Sequence, residues 1–450
     1  MVAPKIKKIV NQKQESNEDK LSSLPDCILI HILSFLDTES AIKTSVLSKR
    51  YRLLWTSLQC LDFKFHGCSV DRFLSFVNHV LERREHSNLS MFRLSLKEQV
   101  NSGFLDNCIA YAMKHKVEHL RIRAYADEHS PLTLPSLLLN SSSLRILRLN
   151  NVSCCSIMLP KSLALPGLKV LRLKNFVFSD ENYNGELFLG CPNLETLILN
   201  KCSIRPDGEV KVLDVKCLNL KNLEIRHWRS PWRCFDEHMI SVNAPRLCSV
   251  KFQGHIPNVD FKEDIWCLDE VCIDLYCPTA CAMVDVSERR RRTSEFCMSM
   301  LHQLCEVKSL ALSLNTIEIL SAIPYLQVYG PSIFQNLRYI KFMAEDKHTV
   351  LTIPINTVTP LLEGNVSEIT ILDLDDPKEQ QLLINIKRSR INVMCKDAMI
   401  SIPIHVMSYI LESSPSAELL IVELPKGIVG QDLRRKMFTR KSMYWHAGMQ

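Results

Sequence analysis

The sequence predicts an α/β solenoid, a curved array of short repeats, preceded by a small N-terminal module of three helices. Two observations carry the array. A phrase of the form apolar-x-x-apolar-x-apolar recurs along the chain, and from Val117 to Leu247 its copies begin 24–27 residues apart. A third observation carries the module. Residues 20–63 hold apolar side chains at helical spacing, in a segment too short to hide them all.

Composition narrows the function classes. The chain has 450 residues, 46% hydrophobic and 23% charged, as a globular protein does. Only 12 are glycine, and neither GxGxxG nor GxxxxGK[ST] occurs, which argues against a dinucleotide or phosphate-loop enzyme. A net charge of +6 is mild for this length and argues against nucleic acid as the main partner. The 18 cysteines are scattered without a CxxC pair, and no leader-like or membrane-spanning apolar run is seen. These features predict a soluble protein of the cytoplasm and/or nucleus, with no membrane partner and reduced, mostly buried cysteines.

The elements follow in order. Residues 1–19 are polar and lysine-rich and read as a disordered basic tail. Ser23 is placed to cap a first helix, with Pro25 in its first turn and Asp26 near its positive end. Ile28, Leu29, Ile32, Leu33, Phe35 and Leu36 then cover more than one helical face. Asp37 or Thr38 ends that helix and caps a second, with Ala41, Ile42 and Val46 facing inward. Ser48 caps a third, which carries Leu53, Leu54 and Trp55. This apolar surplus, Trp55 included, marks a partner-binding patch.

Leu24-Pro25-Asp26, Ile32-Leu33-Ser34-Phe35-Leu36, Thr44-Ser45-Val46-Leu47-Ser48-Lys49-Arg50 and Leu54-Trp55 resemble an F-box of the plant type. In that family the motif is a three-helix module that binds the Skp-family adaptor of a cullin–RING ubiquitin ligase. The resemblance places adaptor-binding positions on Leu24, Pro25, Ile28, Leu33, Leu47 and Trp55. Tyr51 and Glu39 depart from the family pattern, which usually has Trp and often Lys there.

Beyond residue 85 the repeats begin. Leu89, Val117, Leu144, Leu168, Leu194, Leu220 and Leu247 start copies, and the spacings from Val117 on are 27, 24, 26, 26 and 27. Such a period with this phrase is the signature of leucine-rich repeats, in which neighbouring units stack because none can bury its face alone. Cys202 takes a slot where a small side chain meets backbone inside the turn. Weaker copies start at Leu268, Val307, Leu337 and Val366. The 39-residue gap from Leu268 to Val307 reads as an inserted loop near 277–297. The predicted organisation is a module at 20–63, repeats at 64–329, a degenerate region at 330–425 and a basic tail at 426–450. The 330–425 region resembles the C-terminal segment, called FBD, of plant F-box proteins with leucine-rich repeats.

Catalytic chemistry finds little support. Cys267, Cys272, Cys277 and Cys281 lack the paired spacing of a zinc site, and no HExxH or GxSxG occurs. No cofactor is implied. Arg289–Arg292 followed by Thr293-Ser294 matches a basophilic kinase site, but a solvated basic loop is the favoured reading. The alternation of strand residues places Arg93, Arg121, Arg148 and Arg172 side by side on one face, with Arg123 and Lys174 in the next column. These six are the candidate substrate-binding residues, because stacked like charges call for an anionic partner.

Together these features predict a non-catalytic adaptor. Its helical module docks the Skp-family adaptor and, through it, a cullin–RING ligase, while its repeats hold an unidentified protein substrate for ubiquitination. The alternative is a non-degradative binding or scaffold protein whose repeats hold a partner protein or a small polyanionic ligand.

Overall fold

The computed structural model describes most of residues 21–425; the longest segments it leaves undescribed within that range are 126–135, 230–238, 277–285, 327–333 and 373–380. The predicted tails at 1–19 and 426–450 lie outside the described residues.

The repeated phrase builds one 13-stranded sheet. Its strands follow one another in parallel from Cys60–Lys64 through Met91–Ser95, His119–Ala124, Ile146–Asn151, Val170–Lys174, Thr196–Asn200, Asn222–Arg226 and Ser249–Gly254. Glu270–Leu275, Ser309–Ser313 and Tyr339–Met343 continue it. The pairing places equivalent repeat positions opposite each other, so the last two apolar residues of each phrase line up from strand to strand. In Thr196–Asn200, for example, Leu197 and Leu199 are buried while their neighbours are half-exposed. Leu194, the first residue of that phrase, is also buried, which joins each unit to the common core.

The strand exits repeat as well. Asn175, Lys201, His227 and Gly254 each stand seven residues after a phrase begins, and all have positive φ, from 48° to 84°. Only Gly254 adopts this backbone without a side-chain penalty. A Cβ there would also lie 2.6 Å from His227 Nδ1, which shares a 2.6 Å hydrogen bond with the Tyr276 hydroxyl. Behind the sheet the chain returns through helices such as Ser102–Lys114. Midway it returns through a three-stranded parallel sheet of Val212–Lys216, Met239–Asn243 and Asn258–Phe261.

Leu61 and Phe63, at the predicted end of the helical module, lie in the first strand of the sheet. Three sequence readings need correction. The inserted loop near 277–297 contains helix from Val286 onward, running to Gln303; residues 277–285 are outside the described set. Glu288 pairs with Arg291 at 2.8 Å and Arg292 at 2.7 Å, and Arg291 with Glu295 at 2.5 Å, so the charges read as a solvated loop are helical i,i+3 and i,i+4 partners. The copy begun at Val366 does not join the large sheet. Its strand, Glu368–Leu372, opens a separate four-stranded antiparallel sheet with Gln381–Lys387, Arg390–Cys395 and Ala398–Pro403. The next parallel place is filled by Leu419–Pro425, and Lys347–Pro354 closes the edge antiparallel to it.

The module and sheet are tied by buried polar contacts. Thr38, 1% exposed, accepts the Asp62 N–H at 2.8 Å. The buried Arg84 guanidinium donates to the Leu58 carbonyl at 2.8 and 2.9 Å.

Candidate functional site

The helical module is built from Asp26–Leu33, Thr38–Lys43 and Tyr51–Leu54, with short 3-10 turns after the second and third. Pro25, not Ser23, occupies the cap of the first helix, and no side chain caps it. Arg50 donates to the Asp26 carboxylate at 2.7 Å, joining the start of the third helix to the first. Asp37 caps the second by accepting from the Ser40 N–H at 2.8 Å, and Ser48 accepts a long 3.4 Å contact from the Tyr51 N–H.

Burial divides the predicted adaptor-binding residues. Pro25, Ile28 and Leu47 are exposed and Leu24 is half-buried. Leu33, at 3% exposure, and Trp55, at 9%, belong instead to a core with Leu29, Ala41, Tyr51, Leu54 and Leu58. Helical periodicity identifies apolar positions but does not say which face meets the core, and Trp55, counted with the partner-binding surplus, packs inside instead. Val46, predicted inward, is 87% exposed. Phe35 at 77%, Leu47 and Leu53 at 68%, with Ile32 and Leu36, complete an uncovered apolar surface. Single exposed leucines are ordinary, but this density in about 30 residues makes the module a candidate interaction site.

The second site lies on the half-exposed face of the large sheet. Its register brings Asp62, Arg93, Arg121, Arg148 and Arg172 into one row across five strands, as the alternation predicts. Neighbouring side chains in such a row stand roughly 5 Å apart. The row continues through Ile198, Glu224 and Lys251. Arg123, Asn150 and Lys174 form the adjacent row. All six predicted residues therefore share one face.

The charge pattern along this face is uneven. Arg93 meets Asp62 at 3.5 Å. Glu224 serves both Arg226 and, at 4.0 Å, Lys251. Between these carboxylates stand Arg121, Arg148 and Arg172. Burial and then the charges of Arg172, Arg121 and Arg93 push the Arg148 guanidinium below its ordinary pKa. Burial, then Lys201, Arg123, Arg121 and Arg229, do the same to the Lys174 ammonium. The Nε atoms of Arg123 and Arg148 are buried without a hydrogen-bond partner. The alternation that places the arginines also places Ile198, Glu224 and Lys251 in the same column, but not Asp62, which joins the row from the strand Cys60–Lys64, ahead of the first repeat copy at Leu89.

Other reactive groups serve packing. Burial pushes the thiols of Cys108, Cys202, Cys217 and Cys297 up to about 12, far from the thiolate form that reacts or binds metal. Cys202 lies wholly inside its turn, 3.6 Å from the carbonyls of Leu173 and Asn200. Cys272 is buried on a strand and Cys267 is exposed; Cys277 and Cys281 lie outside the described residues. Ser294, read as part of a kinase site, is fully buried and donates to the Arg290 carbonyl, so the folded helix does not offer it for modification. Among the described residues no helix is long and apolar enough to cross a membrane.

Comparison with known proteins agrees with both regions. Residues 21–63 match the F-box domain, and residues 105–321 match the leucine-rich repeats of an FBD-associated F-box protein, At5g56370. The chain is 31% identical over 314 residues to F-box/FBD/LRR-repeat protein At2g04230 of Arabidopsis thaliana, covering 67% of this chain and 65% of that protein. It is 30% identical over 313 residues to the putative F-box/LRR-repeat protein At3g18150 of the same plant, covering 67% and 61%. A match to the putative F-box protein At3g44060 is weaker, at 26%, but spans 79% of each chain. The chain thus matches somewhat less than two thirds of the length of the first two.

Proposed function

From a chain that carries an F-box domain followed by FBD-associated leucine-rich repeats, we propose the substrate-recognition subunit of an SCF-type cullin–RING ubiquitin ligase. The helical module docks a Skp-family adaptor, and the repeat array, a curved solenoid, captures a protein substrate in the cytoplasm and/or nucleus. The chain performs no bond chemistry. It raises the effective concentration of substrate lysines near the conjugating enzyme.

The observation that carries this reading is the uncovered apolar surface of Phe35, Val46, Leu47 and Leu53 on a module matching the F-box. Burying such side chains against a partner is worth ~1.5–3 kcal/mol each before the costs of association. Leu24, Pro25, Ile28 and Leu47 supply contacts, while Leu33 and Trp55 act from inside by holding the helices in place. The contacts from Thr38 to Asp62 and Arg84 to Leu58 support a fixed relation between the docking end and the sheet. At the other end, Arg93, Arg121, Arg123, Arg148, Arg172 and Lys174 form the capture surface. Within the FBD-like region 330–425, the strands Tyr339–Met343, Leu419–Pro425 and Lys347–Pro354 extend the array.

Co-purification tests the proposal. The full chain should retain a Skp-family adaptor, and Val46→Asp with Leu47→Asp should release it while leaving the thermal midpoint within a few degrees. Retention of the adaptor by that folded double variant would contradict the reading.

A further inference from the structure

Along the open face of the sheet the chain neutralises its own cations at several places. Arg93 has Asp62, Arg226 and Lys251 have Glu224, and Lys341 has Glu423 at 2.8 Å. The strands His119–Ala124, Ile146–Asn151 and Val170–Lys174 differ. They contribute Arg121, Arg123, Arg148, Arg172 and Lys174 and contain no carboxylate. The next strand, Thr196–Asn200, has none either. Three strands span roughly 10 Å between outer rows, so five cations crowd one small patch. Mutual repulsion costs stability, and one bound anion offsets it.

We propose that this patch binds a phosphorylated segment of a protein, with the phosphoryl group seated over Arg121, Arg148 and Arg172. The proposal deepens, and rests on, the reading of this face as a capture surface. A phosphoryl group brings a charge near −2 and three acceptor oxygens, enough to accept from guanidinium groups on three adjacent strands. A carboxylate brings one charge and two oxygens and matches a single guanidinium fork.

The flanking rows specify the neighbours. One row on one side holds Ile146 and Val170, both half-exposed. One row on the other side holds Arg123 and Lys174. Rows are two residues apart along a strand, roughly 6.6 Å, which is also the two-residue step of an extended peptide. A segment lying along the strands therefore puts an apolar side chain over Ile146 and Val170, two positions from the phosphorylated residue. It puts an acidic side chain over Arg123 and Lys174, two positions away on the other side.

The test uses the immobilised full chain and three degenerate peptide libraries. Their central residue is fixed as phosphoserine or phosphothreonine, as glutamate, or as unmodified serine or threonine. Skp-family adaptor binding is read from the same beads. The phosphorylated library should be retained at least about tenfold over the glutamate library, with apolar and acidic residues enriched two positions to either side. Arg148→Gln and Arg172→Gln, made singly, should each lower retention roughly tenfold, while Lys251→Gln, in the same row but beside Glu224, changes it less than about twofold. Equal retention of the glutamate or unmodified library would overturn the proposal, as would unchanged retention in both arginine variants. Pyrophosphate binding as tightly as the peptides, without selection of flanking residues, would assign the patch to a small polyanion and also overturn it. Phosphopeptide retention without adaptor binding would support the patch and count against the ligase reading.

Discussion

The helical module and the basic face are both surfaces left incomplete by the chain, but they lack different things. The module lacks apolar cover. Its inner residues, Leu29, Leu33, Ala41 and Trp55, are packed, and its outer ones, Phe35, Val46 and Leu47, meet water. The face lacks negative charge. Its leucines are fully buried, yet Arg121, Arg148 and Arg172 stand in a row between the carboxylates of Asp62 and Glu224. The first deficit calls for a large apolar partner surface that holds at any salt concentration. The second calls for a compact anion and weakens as ions screen it.

That difference can be broken experimentally. The largest effect belongs to the module. Val46→Asp with Leu47→Asp should weaken adaptor binding by about a hundredfold or more, as loss of central apolar contacts does, measured by titration of the purified chain. Next comes the scaffold beneath the face. Leu147 is fully buried one position before Arg148, and Leu147→Ala should cost ~2–5 kcal/mol of unfolding free energy in denaturant titration. Arg148→Gln, its neighbour on the other side of the strand, should leave stability within about 0.5 kcal/mol or raise it slightly.

The scaffold should also respond to acid. Burial pushes the His255 imidazole down to about 4, and its Nε2 has no partner. The folded state thus holds His255 neutral while the unfolded chain protonates it near pH 6.5. Stability from this group is full above pH 6.5 and falls as pH drops toward 4, by up to about 3 kcal/mol. His255→Phe should flatten that slope in urea titrations across the interval. The smallest effect is ionic. Raising salt from 0.05 to about 0.5 M should weaken anion binding at the face severalfold and leave adaptor binding nearly unchanged.

Much of this was readable from the residues. The strands from Met91 to Gly254 follow from a phrase whose apolar positions must all be buried together, and register follows because equivalent positions stack. The row of arginines came with it. Other features depend on what lies beyond the local pattern. Val366 begins the same phrase as Leu337, but local alternation cannot specify which sheet accepts a strand, and Glu368–Leu372 pairs antiparallel with Gln381–Lys387 instead. The run after Ser287 falls in the 39-residue gap between repeat copies and so reads as an inserted loop, although Glu288 with Arg291, Arg292 and Glu295 has the spacing of a helix. In the module, the apolar positions were evident and their facing was not. Leu33 and Trp55 went inward because three short helices need a core before they can offer a surface.

Two ends of one chain should bind different partners at once. Sedimentation of the full chain with both a Skp-family adaptor and a fluorescent phosphopeptide library decides whether they do. The predicted result is one sedimenting species carrying both, from which Val46→Asp with Leu47→Asp removes only the adaptor and Arg148→Gln removes only the peptide. Competition between adaptor and peptide, or loss of both partners through either change in a folded variant, would contradict it.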